Sequence, residues 1–400
     1  MLLDPTLDPT LDPTLDPTLD PMSTLFPTLI RVWMRARVCV TRAWEAANSM
    51  PTIFAGAGMG AQRAAWQHAF TCEASALNGQ HSASGLLDLV KAFETVPHGI
   101  LVQLAGEQGY SMVLLRLSLA AYRLKRAIGI EGVFSRVLVA TRGITAGSGF
   151  ATAELKALLL TLMQMLHIKW VTVLIAKLYV DDLTLTVVGT PKFVIHMLAK
   201  VIDFVVEYLE QTLGMEVSAK KSRIIASLPS IAQAIAQVSA TGKAEAARLS
   251  KMLGTDTVGG RRRSTVSFRA RLKDYATKAE RTKQLNKVGV NSVQMTRTCG
   301  TPAVMYGCDV FGVADTNLDK ARSRIAAAAV PAAGGKNPTL ILLAVDGNTG
   351  SMDPAFEAHV GPTKHWAMAC WEGWQPIKQL SDAWTCAKQK LEQLGKPCWN

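Results

Sequence analysis

The stretch from residue 172 to 188 constrains the fold most. Two apolar runs rich in β-branched residues, 172–180 and 183–188, meet at the adjacent carboxylates Asp181 and Asp182. Such runs predict a strand, a tight turn and a returning strand. Paired aspartates suit the turn, because short acidic side chains accept unusual backbone angles and bond their own main chain. The same pair is costly beside apolar strands unless a cation neutralises it. This stretch alone also fits an ordinary surface hairpin with an acidic tip.

The chain has 400 residues, 49% of them hydrophobic, enough for two or three domains with a true core. A formal net charge of +12 points to an anionic partner, with nucleic acid the default because phosphate neutralisation drives such binding. Charge alone leaves RNA, DNA and membrane open. Seven cysteines (39, 72, 299, 308, 370, 386 and 398) are odd in number and show no C-x-x-C spacing, which predicts a reducing compartment and argues against a zinc site. The apolar region 155–188 carries Lys169, Lys177, Asp181 and Asp182. Each would cost roughly 2.5–3.5 kcal/mol at a bilayer centre, so a buried core is expected there and no membrane partner. No basic stretch followed by an apolar one opens the chain, so no secretory signal is expected.

Residues 3–21 repeat Leu-Asp-Pro-Thr. Proline at every fourth position removes donors and disfavours helix, so 1–22 is expected to be a disordered tail, and its abrupt end at Met22 fits a replaced N-terminus. Residues 29–38 have apolar positions at helical spacing with arginines opposite, an amphipathic pattern. The glycines at 56, 58 and 60 make a loop before a helix, and no Lys-Ser/Thr follows to make it a phosphate loop. In 86–98 an apolar strand ends at Asp88 and a helical turn follows; Asp88 is either a site residue at a strand's C-terminal edge or a helix cap. A glycine-rich loop (143–149) precedes a predicted helix at 150–166, a second helix at 193–213 is closed by Gly214, and a strand is expected within 215–225 beside Lys220 and Lys221.

Between 243 and 287 the balance turns basic. Arg261, Arg262 and Arg263 run together, and Arg269, Arg271, Lys273, Lys278, Arg281, Lys283 and Lys287 follow, against Glu245, Asp256, Asp274 and Glu280. This imbalance favours a phosphate-tracking surface over a merely solvated helix face. Beyond 290, Trp366, Trp371, Trp374 and Trp384 predict a small aromatic core, while His359 and His365 are too isolated to be ligands.

Asp88, a glycine-rich loop and helix, Asp181-Asp182 and Lys221 follow one another in an order that has chemical meaning. Two-metal phosphoryl transfer needs carboxylates from separate strands to hold ions about 3.5–4 Å apart. Substrate phosphates and water complete each Mg²⁺ shell. A Tyr-x-Asp-Asp hairpin is the metal-binding turn of polymerase palm domains, and Tyr179-Val180-Asp181-Asp182 resembles it. Residues 86–98, 143–160, 179–182 and 214–225 resemble the first four palm motifs of reverse transcriptases, and Met252-Leu253-Gly254 is similar to their primer-gripping hairpin. The set looks like the non-LTR retroelement and group II intron branch.

The resemblance implies an α+β fold: a palm of antiparallel sheet backed by helices (86–230), partial fingers (23–85), a basic helical thumb (231–290) and a C-terminal region of unknown role (291–400). It implies an RNA-directed DNA polymerase acting on RNA template, DNA primer and dNTP, with two Mg²⁺ or Mn²⁺ ions held by Asp88, Asp181 and Asp182, and Lys221 as a general acid. Phe93 falls at the steric gate that favours deoxynucleotides, Gly147 and Tyr179 at substrate-binding positions, and Arg261–Arg263, Arg269, Arg271 and Lys273 on the nucleic-acid surface. A nuclear address is expected on the same ground. The chain departs from the pattern at Ala146, where glutamine is usual, and at Glu94, where aspartate is common. The fingers' Arg-Pro-Ile segment is missing, so an inactive nucleic-acid-binding remnant is an alternative. An RNA-dependent RNA polymerase is a second alternative, disfavoured by Phe93 and the Tyr-Val-Asp-Asp turn. No endonuclease motif and no RNase H acid set is seen.

Overall fold

A computed structural model describes residues 28–127, 129–260, 264–331, 335, 337–346 and 350–395. The Leu-Asp-Pro-Thr repeats and Arg261–Arg263 lie outside the described residues. The fold is α+β, and its chain divides into two compact units, the described residues of 1–44 with 91–158 and those of 45–90 with 159–400.

The second unit contains the sheet. Its strands are β1 (His81–Leu87), β2 (Leu174–Tyr179), β3 (Asp182–Gly189), β4 (Arg223–Ala226) and β5 (Glu245–Ala246), in spatial order β2-β3-β1-β4-β5. All neighbours are antiparallel except β4 and β5. The predicted hairpin is therefore β2–β3, closed at the pair Tyr179–Asp182. The strand expected within 215–225 is shorter and later. Residues 216–218 instead pair with the segment just after β1: Leu89 bridges Val217, and the Val90 N–H donates to the Glu216 carbonyl at 2.9 Å.

The two sheet faces differ in chemistry. Leu87, Leu178, Leu183, Leu185 and Val187 are buried and continue into an apolar layer with Leu159, Leu162, Met163, Val201, Ile202 and Val205 from the helices Ala151–Trp170 and Pro191–Glu207. Gly85 belongs here because a Cβ would lie 2.9 Å from the Ile202 side chain. The other face carries Ser82, Ser84, Lys177, Thr184 and Thr186, all buried, with His68 and Cys72 on the helix Ala61–Leu77. Ser84 and Thr186 share a 2.9 Å hydrogen bond, and His68 Nε2 lies 3.8 Å from Cys72 Sγ. Burial drives the His68 imidazole down to about 3 and the Lys177 ammonium down to about 7. Strict alternation hides this polar layer in the sequence, because its residues read as the solvent side of a half-exposed sheet.

Downstream, the hairpin of Ser250–Met252 with Thr255–Thr257 precedes the basic helix Val266–Lys287. Further helices include Asp315–Ala329, Pro354–Trp371 and Ile377–Gln393. The expected tryptophan core is only half formed among them. Trp374 and Trp366 pack on Trp66, at centroid distances of 5.6 and 6.0 Å, whereas Trp371 and Trp384 are exposed. The core thus borrows its centre from Ala61–Leu77, which no local pattern near residue 370 could reveal.

The first unit is mainly helical. In the helix Thr28–Ala47 the buried residues are Met34, Thr41 and Trp44, while Leu29 and Val32 of the predicted stripe are exposed. The Trp44 indole N–H donates to the Gln108 carbonyl at 2.8 Å. Tyr122 donates to the buried Glu154 carboxyl at 2.5 Å and meets the Ser148 hydroxyl at 2.7 Å.

Candidate active site

The hairpin leaves only Val180 and Asp181 in its loop, since Tyr179 pairs with Asp182. Val180 takes φ of 60°, the left-handed region that a two-residue hairpin demands of its first loop position and that glycine usually fills. A β-branched residue there stores strain, a feature that gathers at functional sites. Asp181 closes the two-residue loop, and Asp182 is the first residue of β3.

Register brings in Asp88. Leu87 pairs with Leu183, so the next residue of the β1 segment is level with Asp182. The Asp88 backbone is tied on both sides: its N–H donates to the Ser222 hydroxyl at 3.1 Å, and its carbonyl accepts from Ser218 N–H at 2.8 Å. The same 218–222 turn carries Lys221, whose Nζ lies 3.5 Å from Asp88 Oδ1. Three carboxylates and one ammonium thus meet at one end of the sheet. Asp88 is no helix cap, since the helical turn Ala92–Thr95 has Lys91 at its N-cap.

The acids feel this crowding. Burial raises the Asp181 carboxyl above its ordinary range, Asp88 adds to the rise and Lys221 opposes it. Asp181 backs onto a recess lined by Leu87, Leu89, Leu159 and Leu162. Asp182 is pushed up to about 6, first by burial and then by the charges of Asp181 and Asp88. By surface area Asp182 is exposed and Asp181 half-buried. Burial is the larger cause for both, and the negative charge of Asp88 adds to each rise.

Oxygen-only donors under mutual repulsion are the donor set a hard divalent cation relieves, so the chemistry of the cluster fits Mg²⁺ or Mn²⁺. Among the described residues no group of three or more His, Cys, Asp or Glu side chains is placed to hold a metal ion by itself. Substrate oxygens and water would complete the shell.

Tyr179 is half-buried and packs with Phe54, Leu86, Ile225 and Met252 beneath the turn. Phe93 and Gly147 belong to the first unit. There the helical turn after Asp88 and the glycine-rich loop bond one another: Ile144 N–H donates to the Phe93 carbonyl at 2.7 Å and Gly143 N–H to the Val96 carbonyl at 2.8 Å. Gly147 has φ of 86° and lies exposed in that loop.

On the basic helix, Arg269 and Lys273 are exposed one turn apart. Arg271 is half-buried and engaged: its guanidinium donates to the Gly254 carbonyl at 2.8 Å and the Tyr306 carbonyl at 2.7 Å, and it stacks on the Tyr306 ring. It fastens the 250–257 hairpin, whose loop residues Leu253 and Gly254 both have positive φ. Ser218, Ser222 and Tyr306 escaped the sequence reading. Only the nearness of Ser222 to Lys221 could have drawn attention to it.

No family model matches the sequence, and no curated protein matches it. Solved structures do. Apo telomerase from Candida tropicalis is 10% identical over 91% of this chain and 58% of its own, with a TM-score of 0.44. A form of it truncated from the C-terminal domain is 12% identical over 57% of this chain and 44% of its own, with a TM-score of 0.40. Telomerase from the same organism in complex with a TWJ fragment of telomeric RNA is 11% identical over 80% of this chain and 57% of its own, also at 0.40. The chain spans about half the length of these structures. At such scores the likeness is one of coarse fold alone. No transmembrane-length apolar helix occurs among the described residues.

Proposed function

We propose that the chain is an RNA-directed DNA polymerase of a retroelement, transferring nucleotidyl groups from deoxynucleoside triphosphates to a primer 3′-hydroxyl. The observation that carries this reading is the convergence of Asp88, Asp181, Asp182 and Lys221 from three backbone segments at one sheet end. Asp88, Asp181 and Asp182 would hold two Mg²⁺ or Mn²⁺ ions. Such a pair, when bound, lowers the pKa of an attacking hydroxyl and stabilises the leaving oxygen. Ser218 and Ser222 hold the Asp88 backbone on both sides, which would reduce the cost of positioning its carboxylate. Lys221 is largely exposed and carries the proton that a pyrophosphate leaving group needs. Phe93 favours deoxynucleotides, and Arg269 and Lys273 hold the template–primer backbone. The motif order of the sequence supports the non-LTR and group II intron type.

A second reading, a remnant that grips nucleic acid without copying it, draws on the Lys221–Asp88 ion pair, which already supplies part of the positive charge the acids require. Primer extension on an RNA template with Mg²⁺ or Mn²⁺ separates the two. Deoxynucleotide incorporation that disappears in Asp181→Asn is expected. Incorporation of ribonucleotides alone would favour an RNA polymerase, and retained template binding without extension would favour the remnant.

A further inference from the structure

A cleft of about 290 Å³ opens between the basic helix and the segment Met295–Gly300, and it shares no residue with the carboxylate cluster. That volume is at the lower edge of the ~300–1,000 Å³ of ligand clefts, enough for one ring system. One wall is the face of the basic helix bearing Tyr275, Lys278 and Thr282, at helical spacing. The other is the π-helical turn Thr296–Gly300, a widened turn of the kind that recurs at functional sites. Gly300 makes room: a Cβ there would lie 2.8 Å from the Tyr275 hydroxyl.

The cleft is built in two tiers. At the floor, Tyr275 is 4% exposed and Thr296 is 1% exposed. Their hydroxyls lie near each other, yet neither makes a hydrogen bond of ordinary geometry, a rare condition for buried polar groups. At the mouth, Lys278, Arg281 and the Cys299 thiol are exposed. Apolar walls above two buried hydroxyls that neighbour each other, with two cations at the entrance, match a flat ring joined to an anion. A fatty acid offers the flat cleft no ring, and an inorganic anion leaves the apolar walls bare.

We propose that this cleft takes an unstacked base of single-stranded nucleic acid, with its phosphate on Lys278 and Arg281. The proposal rests on the reading of the chain as a nucleic-acid-binding protein and does not require that it copy its template.

Cys299 at the mouth reports occupancy. The full chain is alkylated with a maleimide and modification is mapped by mass spectrometry, with a short single-stranded RNA or with the same strand made abasic, and no divalent metal. At about ten times its Kd, the base-bearing strand slows modification of Cys299 about tenfold and leaves the exposed Cys370 unchanged. The abasic strand protects far less. Lys278→Glu with Arg281→Glu removes the protection, and the near-isosteric Thr296→Val weakens it. If neither strand binds in a filter assay, the nucleic-acid reading falls and this proposal with it. If both strands bind and Cys299 reacts at its free rate, or is shielded equally by the abasic strand, the base cleft alone is overturned.

Discussion

Two buried ionisable side chains set opposing pH dependences. Glu154 is fully buried, accepts from Tyr122 and has Oε1 without a hydrogen bond of ordinary geometry. Burial is the chief cause that lifts its carboxyl from 4.5 to about 7. Between these values the unfolded chain has lost a proton that the folded chain keeps, so stability falls as pH rises through this window and is flat above it. Lys177 runs the other way. Burial lowers its ammonium from 10.5 to about 7, so the unfolded chain holds the extra proton between pH 7 and 10.5 and stability rises across that range. These two groups together predict a stability minimum near neutrality. Glu154→Gln should flatten the acid limb and Lys177→Met the alkaline one, each by up to about 3 kcal/mol between the pH values compared. Urea melts of the three proteins at pH 5, 7 and 9.5 measure it, and a wild-type maximum at pH 7 with unchanged limbs in the variants would refute it.

Elements differ in how far local sequence announced them. The β2–β3 hairpin was legible because its β-branched apolar runs, its turn and its partner strand all lie within sixteen residues, and Asp181 and Asp182 were legible with it. The neighbour of Asp182 was reached only through the motif resemblance, since the pairing of Leu87 with Leu183 spans the glycine-rich loop and a long helix. The engagement of Arg271 was not legible at all, because an arginine in a basic run looks the same whether it faces phosphate or two backbone carbonyls. Arg271→Lys should lower stability by about 2 kcal/mol through loss of the forked pair, with Lys273→Gln within about 0.5 kcal/mol of wild type. Thermal melts compare them, and equal melting temperatures would return Arg271 to the nucleic-acid surface. Gly259 is a further hidden constraint: a Cβ there would collide with the Ala226 backbone at the end of β4, whereas one at Gly99 meets nothing within 4 Å. Gly259→Ala should therefore cost about 1–3 kcal/mol, and Gly99→Ala, in the helix His98–Glu107, should be neutral or slightly stabilising. The same melts decide this, and an unaffected Gly259→Ala would mean that the 259–260 turn yields freely.

At the scale of the whole molecule, the charge of +12 says that an anionic partner is attracted but not where it lies. Generic attraction would be spread over the surface, and deleting any few cations would change binding alike. A tracking surface on the basic helix makes a different demand, because each phosphate contact releases a bound counterion and steepens the dependence of affinity on salt. Arg269, Lys273 and Lys278 are exposed on that helix, and no ion pair with an acid occupies them among the described residues. Converting all three to Gln should reduce the slope of log K against log salt by about 2 for single-stranded RNA. Neutralising Arg31, Arg35 and Arg37, which are exposed on the helix Thr28–Ala47, removes the same formal charge. Their loss should leave the slope nearly unchanged. Fluorescence anisotropy across a salt series gives both numbers. Equal losses from the two helices would mean that net charge alone attracts the partner, and the basic helix would then lose its special place in nucleic-acid binding.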